Sequence, residues 1–184
     1  MLFRQLFDSE SSTYTYLLAD LDSHEAILVD PVIEQVERDR TLLSQLDLTL
    51  RYCLETHIHA DHITSTGKLR ELTGCRGVVP ENAHAACADW HIKEEETITL
   101  GNKANVKIMA IATPGHTDSH MAYLVYGKCL LTGDALFILG CGRTDFQSGE
   151  AGTLYDAVTG KLFSLPANTL VYPAQDYRGH TMST

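Results

Sequence analysis

Three histidines and an aspartate fall within six positions of the stretch LETHIHADHITSTG, residues 54–67: His57, His59, Asp61 and His62. Imidazole nitrogen and carboxylate oxygen together suit Zn, Fe and Mn. A merely solvated turn has no need of so dense a cluster, so the stretch points to a metal. His57 and His59 are two apart, and on an extended strand end they point the same way. Asp61 and His62 follow once the chain turns and can face a neighbouring point. One run can thus serve two adjacent metal positions. ATPGHTDSH (112–120) adds His116, with Pro114 and Gly115 shaping a tight turn. LTGDALF (131–137) adds Asp134 after a glycine. Alone, His116 could be a structural turn residue and Asp134 a turn or cap.

The elements needed to position these groups can be read from periodicity. YTYLLA (14–19) and AILVD (26–30) alternate as strands, with turn residues between them. Residues 32–46 carry Val32, Ile33, Val36, Leu42, Leu43 and Leu46 at helical spacing. RYCLET (51–56) is a strand running into the histidines. A helix from Thr64–Ser65 then ends at Gly74. The second half repeats the alternation: a strand at 106–113, a pair at 121–127 and 129–134 turning at Gly127–Lys128, a helix at 153–165, and a last strand at 169–174. Two sheets with helices outside them make an α/β sandwich. His57, His116, Asp134 and Gln175 each follow a strand end, and loops at one rim could bring them together.

Composition narrows the partners. The 184 residues suit one domain, with 44% hydrophobic and 21% charged residues, both near globular averages. A net charge of −10 repels phosphate backbones and anionic membranes at long range, which argues against nucleic-acid and membrane partners. Five cysteines without a CxxC pair argue against a disulfide framework or a thiolate zinc site. They are read as buried free thiols, with Cys141 set apart as an exposed, oxidisable one. No apolar run approaches the ~20 residues of a membrane span, and the N-terminus lacks the character of a leader. The expected location is therefore cytoplasmic. His24, His84, His91, His120 and His180 are read as surface or structural residues.

THIHADH (56–62), TPGHT (113–117) and TGDALF (132–137) resemble the metallo-β-lactamase superfamily, an αββα sandwich with its metal site at one rim. HADHITSTGKLRE (59–71), LGCGRTDFQSG (139–149), TLYDAV (153–158) and VYPAQDYRGHTMST (171–184) are similar to its ETHE1-like persulfide dioxygenases. That resemblance covers almost all of the chain, 1–184, and implies a single domain that is short at its C-terminus. It implies one Fe(II) per chain, used with O2 to oxidise glutathione persulfide to sulfite and glutathione. The iron ligands it implies are His57, His116 and Asp134. Two imidazoles and one carboxylate with open positions suit non-haem Fe(II) oxygenation. A homodimer is compatible with the same resemblance.

One position departs from the pattern. Where the superfamily has PAHDY or GHDY, this chain has Gln175. In the dinuclear hydrolases that histidine holds a second metal, with residues matching Asp61, His62 and a bridging Asp134. An amide oxygen is a poorer transition-metal ligand than imidazole, so the second position is weakened. His59, His62 and Gln175 are then expected to surround the iron ligands, or to hold a second metal in part. Asp61 is the expected catalytic carboxylate, orienting a metal-bound water or a ligand histidine; its alternative is a helix cap. Arg143 either pairs with a glutathione carboxylate or braces its loop through Asp145. Tyr177 either contacts substrate or packs at the rim. Two rivals stand beside the dioxygenase: a glyoxalase II-type zinc thioester hydrolase, and a weakened homologue that binds a thiol or persulfide without turnover.

Overall fold

The computed structural model describes residues 1–102 and 104–184. Six strands form the first sheet, in the order β1-β2-β3-β4-β5-β6: Leu2–Asp8, Thr13–Asp20, Glu25–Val29, Thr49–Leu54, Arg76–Pro80 and Trp90–Ile92. Strands β1 to β3 meander antiparallel, and β3 to β6 pair parallel. The second sheet runs β11-β10-β9-β8-β7: Leu170–Pro173, Cys129–Gly133, Met121–Val125, Val106–Ala112 and Thr97–Leu100. Helices α1 (Val36–Gln45) and α2 (Thr66–Thr73) cover the first sheet, and α3 (Ala151–Ala157) the second.

Three apolar layers account for this arrangement. Between the sheets lie Tyr16, Leu18, Ile27, Leu54, Val78, Ile108 and Tyr123, all fully buried. Strands covered on both faces read as continuous apolar runs: β2 and β9 are buried at every position. Leu17, Leu28 and Cys53 face the other way and meet Val36, Leu43 and Leu69 of α1 and α2. Ile111, Ala122 and Leu130 meet Leu154 and, beyond α3, Val158 and Leu162. The result is the αββα sandwich.

The elements read from the sequence differ from that reading mainly at their ends. The first helix starts as a 3₁₀ turn at Ile33–Gln35 and becomes α-helical at Val36. The helix read at 153–165 begins at Ala151 and widens into a π turn at Val158–Leu162. Glu150 caps it, its carboxylate accepting the Gly152 and Thr153 N–H groups. Helix α2 stops where expected, with Gly74 in the left-handed conformation (φ 74°). Strand β4 ends at Leu54 rather than Thr56, and Glu55 N–H donates to Val78 at 2.9 Å as the chain leaves the sheet. Strands β1, β5, β6 and β7 have no counterpart in the sequence reading. Cys53 and Cys75 are buried as read, whereas Cys87 is exposed and Cys129 half-buried: Cys87 lies on a loop outside both sheets.

Leu54 ends β4 inside the inter-sheet core, three residues before His57. Leu54→Ala is expected to lower the unfolding free energy by about 2–5 kcal/mol. The check is a lower urea midpoint at unchanged slope.

Candidate metal centre

His57, His116 and Asp134 leave three separate strand ends, those of β4, β8 and β10, and meet at one point. One donor atom from each lies within 4.8 Å of the others, and His116 Nε2 stands 3.5 Å from Asp134 Oδ2. All three residues are buried.

Hydrogen bonds decide which nitrogen each imidazole offers. His116 Nδ1 donates to the Arg143 carbonyl at 2.7 Å, which leaves Nε2 as the lone-pair nitrogen. The Thr56 hydroxyl donates to Asp30 Oδ2 at 2.9 Å. Its oxygen can then accept from His57 Nδ1 at 3.0 Å, so His57 also presents Nε2. Burial, helped by the neighbouring His59, holds His57 well below the ordinary histidine range. Burial lowers His116 as well. Both rings are neutral at pH 7, the form that binds metal.

Asp134 is held by its backbone. Its N–H donates to His120 Nε2 at 3.0 Å, and His120 Nδ1 is fixed by Thr113 Oγ1 at 2.8 Å. Burial pushes His120 down to about 3, so it stays a neutral acceptor. His120 is thus structural, as the sequence reading had it, and its contact is with a candidate ligand. Burial also pushes the Asp134 carboxyl up to about 7, with the Asp61 and Asp30 charges adding to the rise. Its Oδ1 is buried and has no hydrogen-bond partner. A cation among these three donors would favour the ionised carboxylate. The donor set therefore fits a metal.

Gly142 lets the 139–149 loop close over the centre. A Cβ there would lie 2.7 Å from both the Asp134 carbonyl and His116 Nδ1. Its N–H donates to that same carbonyl at 2.8 Å.

The remaining residues of the run form a second group. His59, Asp61 and His62 bring donor atoms within 4.8 Å of one another, and the His57 and His59 rings are 4.2 Å apart. His59 is engaged elsewhere, with Nε2 3.1 Å from Asp30 Oδ1 and 3.5 Å from Glu55 Oε2. Burial disfavours its charge, yet Asp30 and Glu55 prevail and hold it well above the ordinary histidine range. Asp61 accepts from Gln175 Nε2 and pairs with His62 Nδ1 at 3.2 Å. It does not cap α2, whose N-cap residue is Ser65. The Tyr177 hydroxyl donates to Gln175 Oε1 at 2.8 Å. Both ends of the Gln175 amide are thereby occupied.

A cavity of about 450 Å³ opens over the triad, and Asp61, Cys141, Arg143, Phe146, Gln175 and Tyr177 contribute to its wall. Arg143 is tied to Asp145 by two bonds of 2.7 and 3.0 Å and lies over the Phe146 ring. That is the bracing role, on the wall of the cavity. Tyr177 is 70% exposed, so it does not pack. Sequence reasoning missed Asp30, Glu55 and Thr56. Asp30 had a readable signal, an Asp-Pro step at a strand end; Thr56 and Glu55 had none.

A family model described as the metallo-beta-lactamase superfamily matches residues 9–174. The chain belongs to that superfamily. Persulfide dioxygenase ETHE1, mitochondrial, of Bos taurus is 49% identical, over 100% of this chain and 72% of its own length. The crystal structure of ETHE1 from Myxococcus xanthus superposes with a TM-score of 0.95 at 50% identity, covering 100% of this chain and 79% of that one. Hydroxyacylglutathione hydrolase of Pseudomonas putida (strain W619) is more distant, at 33% identity over 91% of this chain and 63% of its own length.

Two substitutions test this geometry. Thr56→Val removes the acceptor that fixes His57 and should weaken metal binding by about 10–100-fold. Competition against a chromophoric chelator measures it, and unchanged affinity would exclude the assigned role. Gln175→His should strengthen binding of a second metal ion; a titration curve unaltered by the change would refute the placement of Gln175 beside that position.

Proposed function

We propose that the protein is a persulfide dioxygenase: glutathione persulfide, O2 and water become glutathione, sulfite and two protons. The observation that carries this reading is a complete set of two imidazoles and one carboxylate, in a chain that shares about half its residues with persulfide dioxygenases along its whole length. In the proposal His57, His116 and Asp134 hold one Fe(II). Iron so held supplies the one-electron chemistry that O2 needs.

The surrounding residues have their own tasks. Arg143 O and Thr56 Oγ1 keep each imidazole in the tautomer that turns Nε2 inward. His120 fixes the Asp134 backbone. Asp61 stands on the cavity wall as a hydrogen-bond acceptor, its carboxyl held low by the His62 contact against the effect of burial. There it can orient a water or the persulfide. Tyr177 lines the same cavity and is the proposed substrate contact. Arg143 keeps one carboxylate, Asp145, and a substrate carboxylate would have to share that guanidinium.

The thioester hydrolase reading finds less support. Such hydrolysis uses a metal-activated hydroxide, often held between two metal ions ~3.5–4 Å apart. Gln175 gives the second position no imidazole, and Asp61 and Tyr177 already engage its amide. A cytoplasmic location belongs to the same proposal. No helix among the described residues is long and apolar enough to cross a membrane.

Metal analysis combined with an oxygen electrode decides between the readings. The proposal expects one iron per chain and uptake of O2 on addition of glutathione persulfide, with sulfite formed in equal amount. Two zinc ions per chain with thioester cleavage would replace it with the hydrolase. Iron without O2 uptake would leave a binding protein.

A further inference from the structure

Cys53 and Cys75 lie outside the candidate centre and the chemistry above uses neither. Cys53 is fully buried in β4, and Cys75 is buried just before β5, the neighbouring parallel strand. Both pack in the layer between the first sheet and its helices. Their sulfurs are 3.7 Å apart. A disulfide requires about 2.05 Å, so the two atoms need to close about 1.7 Å. Cys53 lies in register with Gly77, two residues beyond Cys75, so the bridge would run diagonally between the two strands.

We propose that Cys53 and Cys75 form a reversible intramolecular disulfide, a covalent modification site that staples the segment bearing the candidate metal ligands. The bridge would close the chain from β4 to the end of α2. That loop contains Glu55, His57, His59, Asp61 and His62. The inference does not depend on the persulfide reading, since it uses only the position of the two thiols.

The surroundings favour the step. A hydrogen bond from Cys53 lowers the Cys75 thiol to about 7, and the same contact raises Cys53. Cys75 is therefore the readier of the two to ionise and attack, and Cys53 supplies the second sulfur. A cavity of about 330 Å³ reaches Thr66 and Gly77, and Thr66 also touches Cys53. Neither sulfur lines that cavity and both are buried, so the oxidant proposed is a small one of peroxide size. With hydrogen peroxide the step balances. The Cys75 thiolate attacks one peroxide oxygen and becomes a sulfenic acid, releasing hydroxide, which takes up a proton to become water. Cys53 sulfur then displaces the second oxygen as water. Two thiols are oxidised by two electrons, and one peroxide is reduced to two waters.

The test uses the full chain, folded and metal-loaded, treated with equimolar hydrogen peroxide, then alkylated in denaturant and mapped by mass spectrometry. The expected product is monomeric, 2 Da lighter at the crosslink, with the Cys53 and Cys75 peptides joined and Cys129 still alkylated. Dithiothreitol should restore both thiols. The oxidised protein should melt a few degrees higher, by ~2–4 °C per kcal/mol of added stability, and C53S should lose both the crosslink and this shift. Alkylation of both cysteines after treatment would overturn the proposal. So would a sulfinic acid on Cys75 without a crosslink, or joining seen only when peroxide is added to unfolded chain. Should C53S fold poorly, C75S or C53A provides the same comparison.

Discussion

A buried carboxylate, Asp30, ties the metal-ligand run to the sheet. It sits one residue past β3 and accepts the Thr56 N–H at 2.7 Å and the Thr56 hydroxyl at 2.9 Å. His59 Nε2 stands 3.1 Å away. Strands β3 and β4 are parallel neighbours, so these bonds clamp two strand ends at the same rim. Asp30 is held at φ 49°, an uncommon region for a residue with a Cβ. Strain of that kind persists where the surrounding contacts over-determine it, and here three contacts do so. Without them Thr56 would lose its orientation, and His57 the acceptor that sets its tautomer. Each candidate ligand is thus fixed by an atom outside the candidate centre.

The electrostatics point the same way. Asp30, Glu55 and Asp134 are buried acids within one small region. Burying carboxylates costs several kcal/mol each unless they are paired or coordinate a cation. Asp30 has its donors, and Glu55 has Thr64, Thr66 and the protonated His59. Glu55 Oε2 and Asp134 Oδ1 are both buried without a hydrogen bond, but Glu55 Oε2 stands 3.5 Å from the charged His59 ring, whereas Asp134 has no such partner. Among the three it is the one that faces the two neutral imidazoles. The folded chain thus satisfies its acids in turn and leaves one unsatisfied where a cation would sit.

Much of this was legible in the sequence because the chemistry is local. A dense ligand run needs no tertiary information, and strand ends followed by His or Asp are visible in the alternation. The sandwich followed from strands and helices in both halves. What escaped was set by distant partners. Strand β1 carries Leu2, Phe3, Leu6 and Phe7, a spacing closer to a helix than to alternation, and it pairs as a sheet edge with only one of its seven residues fully buried. Strands β6 and β7 are three and four residues long, too short for any period to register. Thr56 is a common residue type whose importance arises only when β3 and β4 lie side by side, and the Asp-Pro step at Asp30 marks a strand end without naming its partners. The candidate ligands were therefore readable, while most of the atoms that aim them were not.

Gln175 shows how one such atom reshapes a site. Asp61 needs a donor, and the Tyr177 hydroxyl, which donates, needs an acceptor. A primary amide offers both at once and has no protonation state to change. A neutral imidazole could also bridge the two, but only in one tautomer, and protonation would take away its acceptor. Imidazole would also keep a strong lone pair for a metal, which the amide lacks. The glutamine therefore adds no titrating group of its own between Asp61 and Tyr177 and weakens the adjoining metal position by the same atoms. That combination, a polar wall beside one candidate metal position and a weakened second, is what the proposed one-iron centre would need.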